Sequence, residues 1–387
     1  MFPEILNFLL NCTCPADSTE WEALVVWACR HEFGPLIHHH LESRVKDCVP
    51  PPAVNIRLQC TRYVAQAVSL VREQVWVELL KALETADIHV LLLKGAALAY
   101  TVYPDPVLRP MGDIDLLLDR RDLSQASAVL RGLGFYPRPE PQQRINPFNK
   151  NWTGELSFCR EHQGMVMSVD LHWELFTIEW LRRIMKVDVK AMWEHAIPVQ
   201  LGQIIAHTLL YEDMLVHVCL HISLHGFTHL RGYVDILQLL EYGDLDWTLF
   251  LQRAQESGLR VACYFPLWWL AQYRTDVVPQ RVLTALHPDP LRAMLGKWLV
   301  KRGAQREPDA SHTWNHGVQI LLVDRLMDYR QLLAWLLFPG RAWLQERYQL
   351  QTPWQSWMWS LLHPFIVIWE GGRSLWTLLK QWIFHQH

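Results

Sequence analysis

Leu93-Lys94-Gly95-Ala96-Ala97-Leu98, then Tyr103-Pro104-Asp105-Pro106, then Leu108-Arg109-Pro110-Met111-Gly112-Asp113-Ile114-Asp115-Leu116-Leu117-Leu118 is the stretch that decides the fold. Ile88 to Leu93 is a short apolar run rich in β-formers, closed by Lys94-Gly95, and reads as a buried strand. A small helix from Ala96 to Tyr103 follows, stopped by Pro104 and Pro106. Asp113 to Leu118 reads as a second strand, and Leu123 to Leu133 as a helix ended by Gly134. Further on, Leu156–Arg160 and Met165–Trp173 are extended runs joined by Glu161-His162-Gln163-Gly164, a hairpin pattern. In its second strand Ser168, Asp170 and His172 share one face, where a core face would be apolar.

Outward from this centre the texture is helical. Trp21–Ala28 and Val64–Leu83 carry apolar residues at three-to-four spacing, with Pro50-Pro51-Pro52 as a rigid connector between them. From about His207 onward the chain reads as helices over 209–224, 230–242, 247–257, 261–274, 291–302 and 318–337. The polar stretch Gly303–His316 is the best internal linker. The expected fold class is α+β: a small mixed-sheet core flanked by N-terminal helices and a C-terminal helical domain. The expected divisions are 1–85, 86–204, 205–345 and a Trp-rich amphipathic tail, 346–387.

The 387 residues are half hydrophobic and 19% charged, which supplies a sizeable core and argues against long disorder. The net charge of -3 makes bulk nucleic-acid binding an unfavoured function, since that needs a broad basic surface. No apolar run is long enough for a transmembrane helix, and Met1-Phe2-Pro3-Glu4 shows no basic leader. A cytoplasmic protein is therefore expected, with its eight scattered cysteines reduced. His38-His39-His40 points three ways on a helix and reads as surface decoration. Among the 20 Trp, Trp354, Trp357, Trp359, Trp369, Trp376 and Trp382 crowd the tail, where no Asp, Glu, Lys or Arg occurs between Gln351 and Ile368. Pro364 and Gly371-Gly372 are expected to break it into short pieces. Such segments suit docking onto the protein's own helices; over 354–384 they equally suit peripheral contact with a membrane surface or a hydrophobic partner.

Asp113 and Asp115, two apart on a strand, put two carboxylates on one face. Paired carboxylates are costly unless a cation neutralises them, and hard divalent metals favour such oxygens. Asp170 on a neighbouring strand would complete a pocket for two Mg²⁺ or Mn²⁺, and without metal three converging charges are expected to destabilise the fold. A strand–Gly–helix turn at Gly95-Ala96-Ala97 offers backbone N–H groups to phosphates. Each piece alone is weak: a DxD is as often structural, and a Lys-Gly turn is usually only a turn. His172 has three open readings: orienting a carboxylate, taking a proton from an acceptor hydroxyl, or filling an exposed hairpin face. His221 and His225 are four apart and share a helix face, but no third ligand follows at a telling spacing. Arg231 and Asp235 have salt-bridge spacing. Both pairs read either as interface packing or as cleft lining.

The order strand, Gly turn, helix, DxD strand, hairpin strand with Asp resembles the DNA-polymerase-β-like nucleotidyltransferase superfamily. The wording LLKGAAL, YPDP, LRPMGDIDLLL and VDLHWEL looks like an uncharacterised bacterial nucleotidyltransferase family found near peptide and polysaccharide biosynthesis genes. Trp21–His38 and Leu215–Leu240 look like that family's N-terminal helix and helical signature, so the likeness spans about 20–345. The resemblance implies that Asp113, Asp115 and Asp170 are the catalytic, metal-binding acids, and that Gly95 is the glycine of a Gly-Ser turn. Ala96 stands where that pattern has Ser, so a hydroxyl contact to phosphate is lost. Lys94 and Arg109 are candidates to replace it, and His172 completes the expected cofactor-binding set. The implied activity is Mg²⁺-dependent transfer of a nucleoside monophosphate from a nucleoside triphosphate to an unidentified acceptor. The alternatives are a degenerate nucleotide-binding scaffold, a toxin-like enzyme acting on RNA, and a γ-phosphotransferase.

Overall fold

The computed structural model describes residues 2–44, 48–138, 154–176, 178–306, 312–325 and 327–384. Its centre is a seven-stranded mixed sheet in the order β3-β4-β5-β2-β1-β7-β6. The strands are β1 Val90–Leu93, β2 Asp113–Leu118, β3 Tyr136–Pro137, β4 Glu155–His162, β5 Met165–His172, β6 Ile197–Leu201 and β7 Ile204–Thr208. Two pairings are parallel, β2 with β5 and β1 with β7, and the others are antiparallel. The fold class is α+β, with helices at both ends of the chain.

Local chemistry accounts for these elements. Leu91, Leu92, Leu93, Leu116 and Leu117 are fully buried, so both central strands are sandwiched between covering layers, as continuous apolar runs require. The β4–β5 hairpin turns on Gln163 and Gly164, both at positive φ (50° and 74°), the tight two-residue geometry that matches strand twist. A 34-residue helix, Pro52–Thr85, begins on the last proline of the Pro50–Pro52 run and leads through Ala86 and Asp87 toward β1.

Four expectations need correction. The chain is not yet helical at His207: β6 and β7 form a second hairpin, and β7 runs to Thr208 beside β1. Each of these strands is five residues long and alternates buried with less buried positions, too short for periodicity to separate them from the following helix. The span 318–337 is two helices, His312–Leu321 and Asp328–Leu337, and residues 307–311 of the expected linker lie outside the described residues. The tail is one continuous helix, Pro353–Phe384, in spite of Pro364 and two glycines.

The fourth correction concerns Cys and His. Cys14 and Cys48 form a disulfide, Cα–Cα 5.9 Å; only the folding of the N-terminal helices brings residues 34 apart together. His38 and His40 are buried rather than decorative, and His40 Nε2 lies 3.1 Å from the Phe8 carbonyl oxygen. Burial pulls the His40 pKa down to about 4, so the ring packs there as a neutral group. Among the described residues, no helix is long and apolar enough to cross a membrane.

Candidate active site

The parallel pairing of β2 with β5 sets Asp115 directly beside Asp170 and Asp113 beside Ser168. Paired residues in neighbouring strands project to the same face, so two carboxylates meet there. Asp115, Asp170 and His172 each offer an atom within 4.8 Å of the others, a set able to hold a metal ion. Asp115 is the centre of it. Its Oδ1 accepts from Lys94 Nζ at 3.0 Å and from His172 Nε2 at 2.8 Å, and all three side chains are mostly out of water. His172 therefore orients a carboxylate, and at 2% exposure it does not fill an exposed hairpin face.

The carboxylates divide into two kinds. Burial alone would raise the Asp115 pKa, but Lys94 and His172 outweigh it and hold the group below the ordinary carboxylate range. Asp170 is raised, chiefly by burial and then by the Asp115 charge, against the hydrogen bond from Ser157. Asp113 is also raised: desolvation comes first, followed by the charges of Asp115 and Asp170. As a residue Asp113 is exposed, standing at the open start of β2, but protein crowds its carboxyl. Asp113 is not a member of the three-residue set, so the expected pocket of three converging acids is a pair plus a neighbour. The like-charge cost is partly met within the chain, because an ammonium already sits on the most buried acid.

Lys94 opens the helix Lys94–Thr101 with φ at 44°, in the left-handed region that disfavours side chains by about 1–2 kcal/mol. That twist at the end of β1 accompanies the placement of its ammonium on Asp115, since β1 and β2 pair Leu93 with Asp115. Gly95 is buried, and a Cβ there would stand 3.3 Å from Arg109 Nη1 and 3.4 Å from Met111, so glycine permits a close approach. Ala96 is 1% exposed and belongs to the core, offering backbone only.

Arg109, expected at the phosphates, has its fork engaged elsewhere. Nε and Nη2 donate to the two oxygens of Asp235 at 2.8 and 2.9 Å, and Tyr103 Oη donates to the same carboxylate at 2.8 Å. Only Nη1 faces the Gly95 turn. This buried bidentate pair ties the loop before β2 to the helix Leu230–Tyr242. It also replaces the expected Arg231–Asp235 pair: Arg231 instead bonds Glu32 and the carbonyls of His31 and Pro110.

Two neighbours of the site were missed in the sequence. Glu155 pairs in register with His172 and sits 3.5 Å from its Nδ1. The signal was available: a two-residue turn at Gln163-Gly164 between strands of eight residues sets the first residue of β4 across from the last of β5. His217, on the helix Tyr211–Leu224, is 1% exposed and pulled down to about 3, by burial first and then by Lys94. It is near enough for the charges of Lys94, Asp115 and His172 to bear on it, and nothing in its spacing announced this.

Two carboxylates, one imidazole and a ready cationic side chain fit a divalent cation with hard oxygen donors. Residues 17–274 match the model of a family described as uncharacterised nucleotidyltransferase, and since that is more than half of the chain, the protein belongs to this family. No curated protein matches. The crystal structure of an antigenic nucleotidyltransferase-like protein from Paracoccidioides brasiliensis is similar over 56% of this chain and 93% of that one, at 16% identity. Its TM-score of 0.36 is too low for the likeness to carry an argument.

Proposed function

We propose that this protein transfers a nucleoside monophosphate from a nucleoside triphosphate to a hydroxyl or phosphate oxygen of an acceptor, in the manner of the DNA-polymerase-β-like superfamily. The acceptor oxygen bonds to the α-phosphorus, the bond to the bridging oxygen breaks, and pyrophosphate leaves. Asp115, Asp170 and His172 would hold a divalent cation, Mg²⁺ or Mn²⁺, with Asp113 at the mouth. Bound there, the cation supplies charge neutralisation for the triphosphate and the reacting oxygens.

The chain's own residues do the rest. Asp170, beside Asp115, would take the acceptor's proton. Lys94, whose ammonium lies on Asp115, would be the cation next to the Gly95 turn for the triphosphate oxygens. His172 fixes the Asp115 carboxylate, and Glu155 lies against its other nitrogen. The Arg109–Asp235 tie keeps the turn and the helical domain in fixed relation. The observation that carries the reading is the adjacency of Asp115 and Asp170 on parallel strands with Lys94 and His172 on the same oxygen. The test is pyrophosphate release from each nucleoside triphosphate with Mg²⁺ or Mn²⁺ and cell extract as the acceptor source. Label should follow the α-phosphate, and Asp115→Asn and Asp170→Asn should be inactive; transfer of γ-label instead would make the protein a phosphotransferase.

A second reading, a nucleotide-binding scaffold without turnover, draws on Ala96 in place of a hydroxyl residue and on Lys94 closed over Asp115. It expects cation-dependent nucleotide binding with no pyrophosphate under any acceptor fraction.

For the C-terminal helix we propose contact with a membrane surface. Its inner side docks on the protein's own helices: Ser356 and His363 are buried, and His363 accepts from Tyr348 Oη at 2.8 Å. Its outer side shows Trp354, Trp357, Leu361, Phe365, Ile368 and Trp369 to solvent at steps of one to four residues. Trp at such a border, with Arg373 on the same helix, suits an interfacial helix.

A further inference from the structure

Away from the carboxylates, three histidine rings meet at one bend. His221 lies in the last turn of the helix Tyr211–Leu224, His225 caps it, and His229 precedes the helix Leu230–Tyr242. The link between the helices is tight: Gly226 and Phe227 both have φ of 64°. Phe227 is 1% exposed, so a bulky buried residue is held in the left-handed region. Trp314 clamps the bend by donating from Nε1 to the Gly226 carbonyl at 2.8 Å. The result folds His229 back over the first helix. Ring centroids are 4.4 Å apart for His221–His225, 4.6 Å for His221–His229 and 5.9 Å for His225–His229.

Packing among apolar side chains does not require three imidazoles, and one of their buried nitrogens is unserved. His229 Nδ1 is buried without a hydrogen-bond partner. Burial, followed by the His225 charge, pulls His229 down to about 3, and burial, followed by the Lys94 charge, depresses His221 strongly. His221 and His229 are therefore neutral at ordinary pH, and a neutral imidazole keeps a lone pair. A tetrahedral ion with nitrogens at 2.0–2.1 Å spaces imidazole centroids by about 5 Å, within the observed range. As the rings stand their nitrogens do not converge to within 4.8 Å, so closure needs the side chains to rotate.

We propose that His221, His225 and His229 form a second metal site, for a borderline transition ion of the zinc class. Imidazole donors without a carboxylate select such an ion over Mg²⁺, so this site and the Asp115 set take different metals. It would pin the bend between the two helices, and Lys94 is near enough for its charge to bear on His221.

The test uses the full chain stripped of metal by chelator, without nucleotide. Zn²⁺ is titrated by calorimetry, and Co²⁺ is followed by its visible absorption. Wild type should bind one Zn²⁺ tightly and give the intense Co²⁺ spectrum of a tetrahedral site. His225→Gln, at an exposed position that should leave folding intact, and His229→Gln should each weaken Zn²⁺ binding by more than the about 100-fold that loss of an outer-shell partner costs. Asp170→Asn should leave it unchanged. Melting curves without metal confirm that the variants fold. Absence of tight Zn²⁺ binding in wild type, full affinity in His225→Gln, or loss in Asp170→Asn alone would each overturn the proposal.

Discussion

The shared face of β2 and β5 and the outer face of the Pro353–Phe384 helix depart from the usual partition of side chains in opposite senses. The sheet draws ionisable groups inward: Asp115, His172 and Arg109 are all under a tenth exposed. The helix turns large apolar groups outward, with Trp354, Phe365 and Trp369 each at least 70% exposed. Either departure costs free energy in an isolated chain, the first through desolvation and the second through unburied apolar area. The sheet meets its cost internally, with Lys94 and His172 on one oxygen and Asp235 on Arg109. The described helix stripe has no comparable cover. The contrast separates a site whose charges are already partnered from a surface whose apolar groups face solvent among the described residues.

The largest effect expected from breaking the first half of the contrast is Asp115→Asn. It removes the acid that joins Lys94, His172 and the cation set, so transfer should fall by at least about a thousand-fold, as loss of several kcal/mol of charge stabilisation implies. It should also destabilise the metal-free protein by about 3–5 kcal/mol, because a buried ammonium loses its partner. From the sequence alone, relief of repulsion would raise or preserve this variant's metal-free stability. Denaturant melts with and without Mg²⁺, beside pyrophosphate release, decide it; unchanged stability would remove the Lys94 pair from the account.

Deleting 354–387 tests the second half. The truncated chain should keep a cooperative melt and lose flotation with anionic liposomes, whereas the full chain floats. A truncated chain that fails to fold would make the helix part of the core.

Lys94→Ala is a smaller perturbation. One charge-assisted contact to phosphate is worth about 1.5–3 kcal/mol, so triphosphate affinity should fall roughly ten- to a hundred-fold, read by calorimetric titration. Unchanged affinity for all four triphosphates would leave Lys94 as a counter-ion to Asp115 alone.

The smallest effect is in pH. Asp115 is depressed, so its stabilisation is present above the ordinary aspartate range and is lost as pH falls below it. Asp170 is raised, so its ionisation opposes folding above the unfolded value, and protonation relieves this as pH falls through the raised value. Asp170→Asn should therefore slightly raise metal-free stability near neutrality, and the gain should vanish in acid. A stability loss at neutral pH would place Asp170 in a structural hydrogen-bond role.

Where local pattern carried the information, the sequence was legible. The run Ile88–Leu93, the DxD strand and the Glu161–Gly164 turn announced β1, β2, β4 and β5, although β4 runs on through Glu161 and His162 and leaves a two-residue turn; the register that sets Asp115 beside Asp170 came only with the fold. What was hidden depends on long-range contact. The Arg109–Asp235 pair joins residues 126 apart, the disulfide joins residues 34 apart, and His217 reaches the acids only through helix packing. His229 was invisible as a partner of His221 because a turn, not helical spacing, brings it there. The continuity of the last helix through Pro364 shows local breaker signals overridden by docking of its inner face.

The most direct test of the central claim is a melting experiment on the full chain with nucleoside triphosphate, cation, both, and neither. A site built around Asp115 and Asp170 predicts little shift from nucleotide alone. With nucleotide and Mg²⁺ at about a hundred times the dissociation constant, stabilisation should be about 2.7 kcal/mol, or several degrees, and Asp170→Asn should diminish it. An equal shift without cation, or an undiminished one in both Asp115→Asn and Asp170→Asn, would contradict the account.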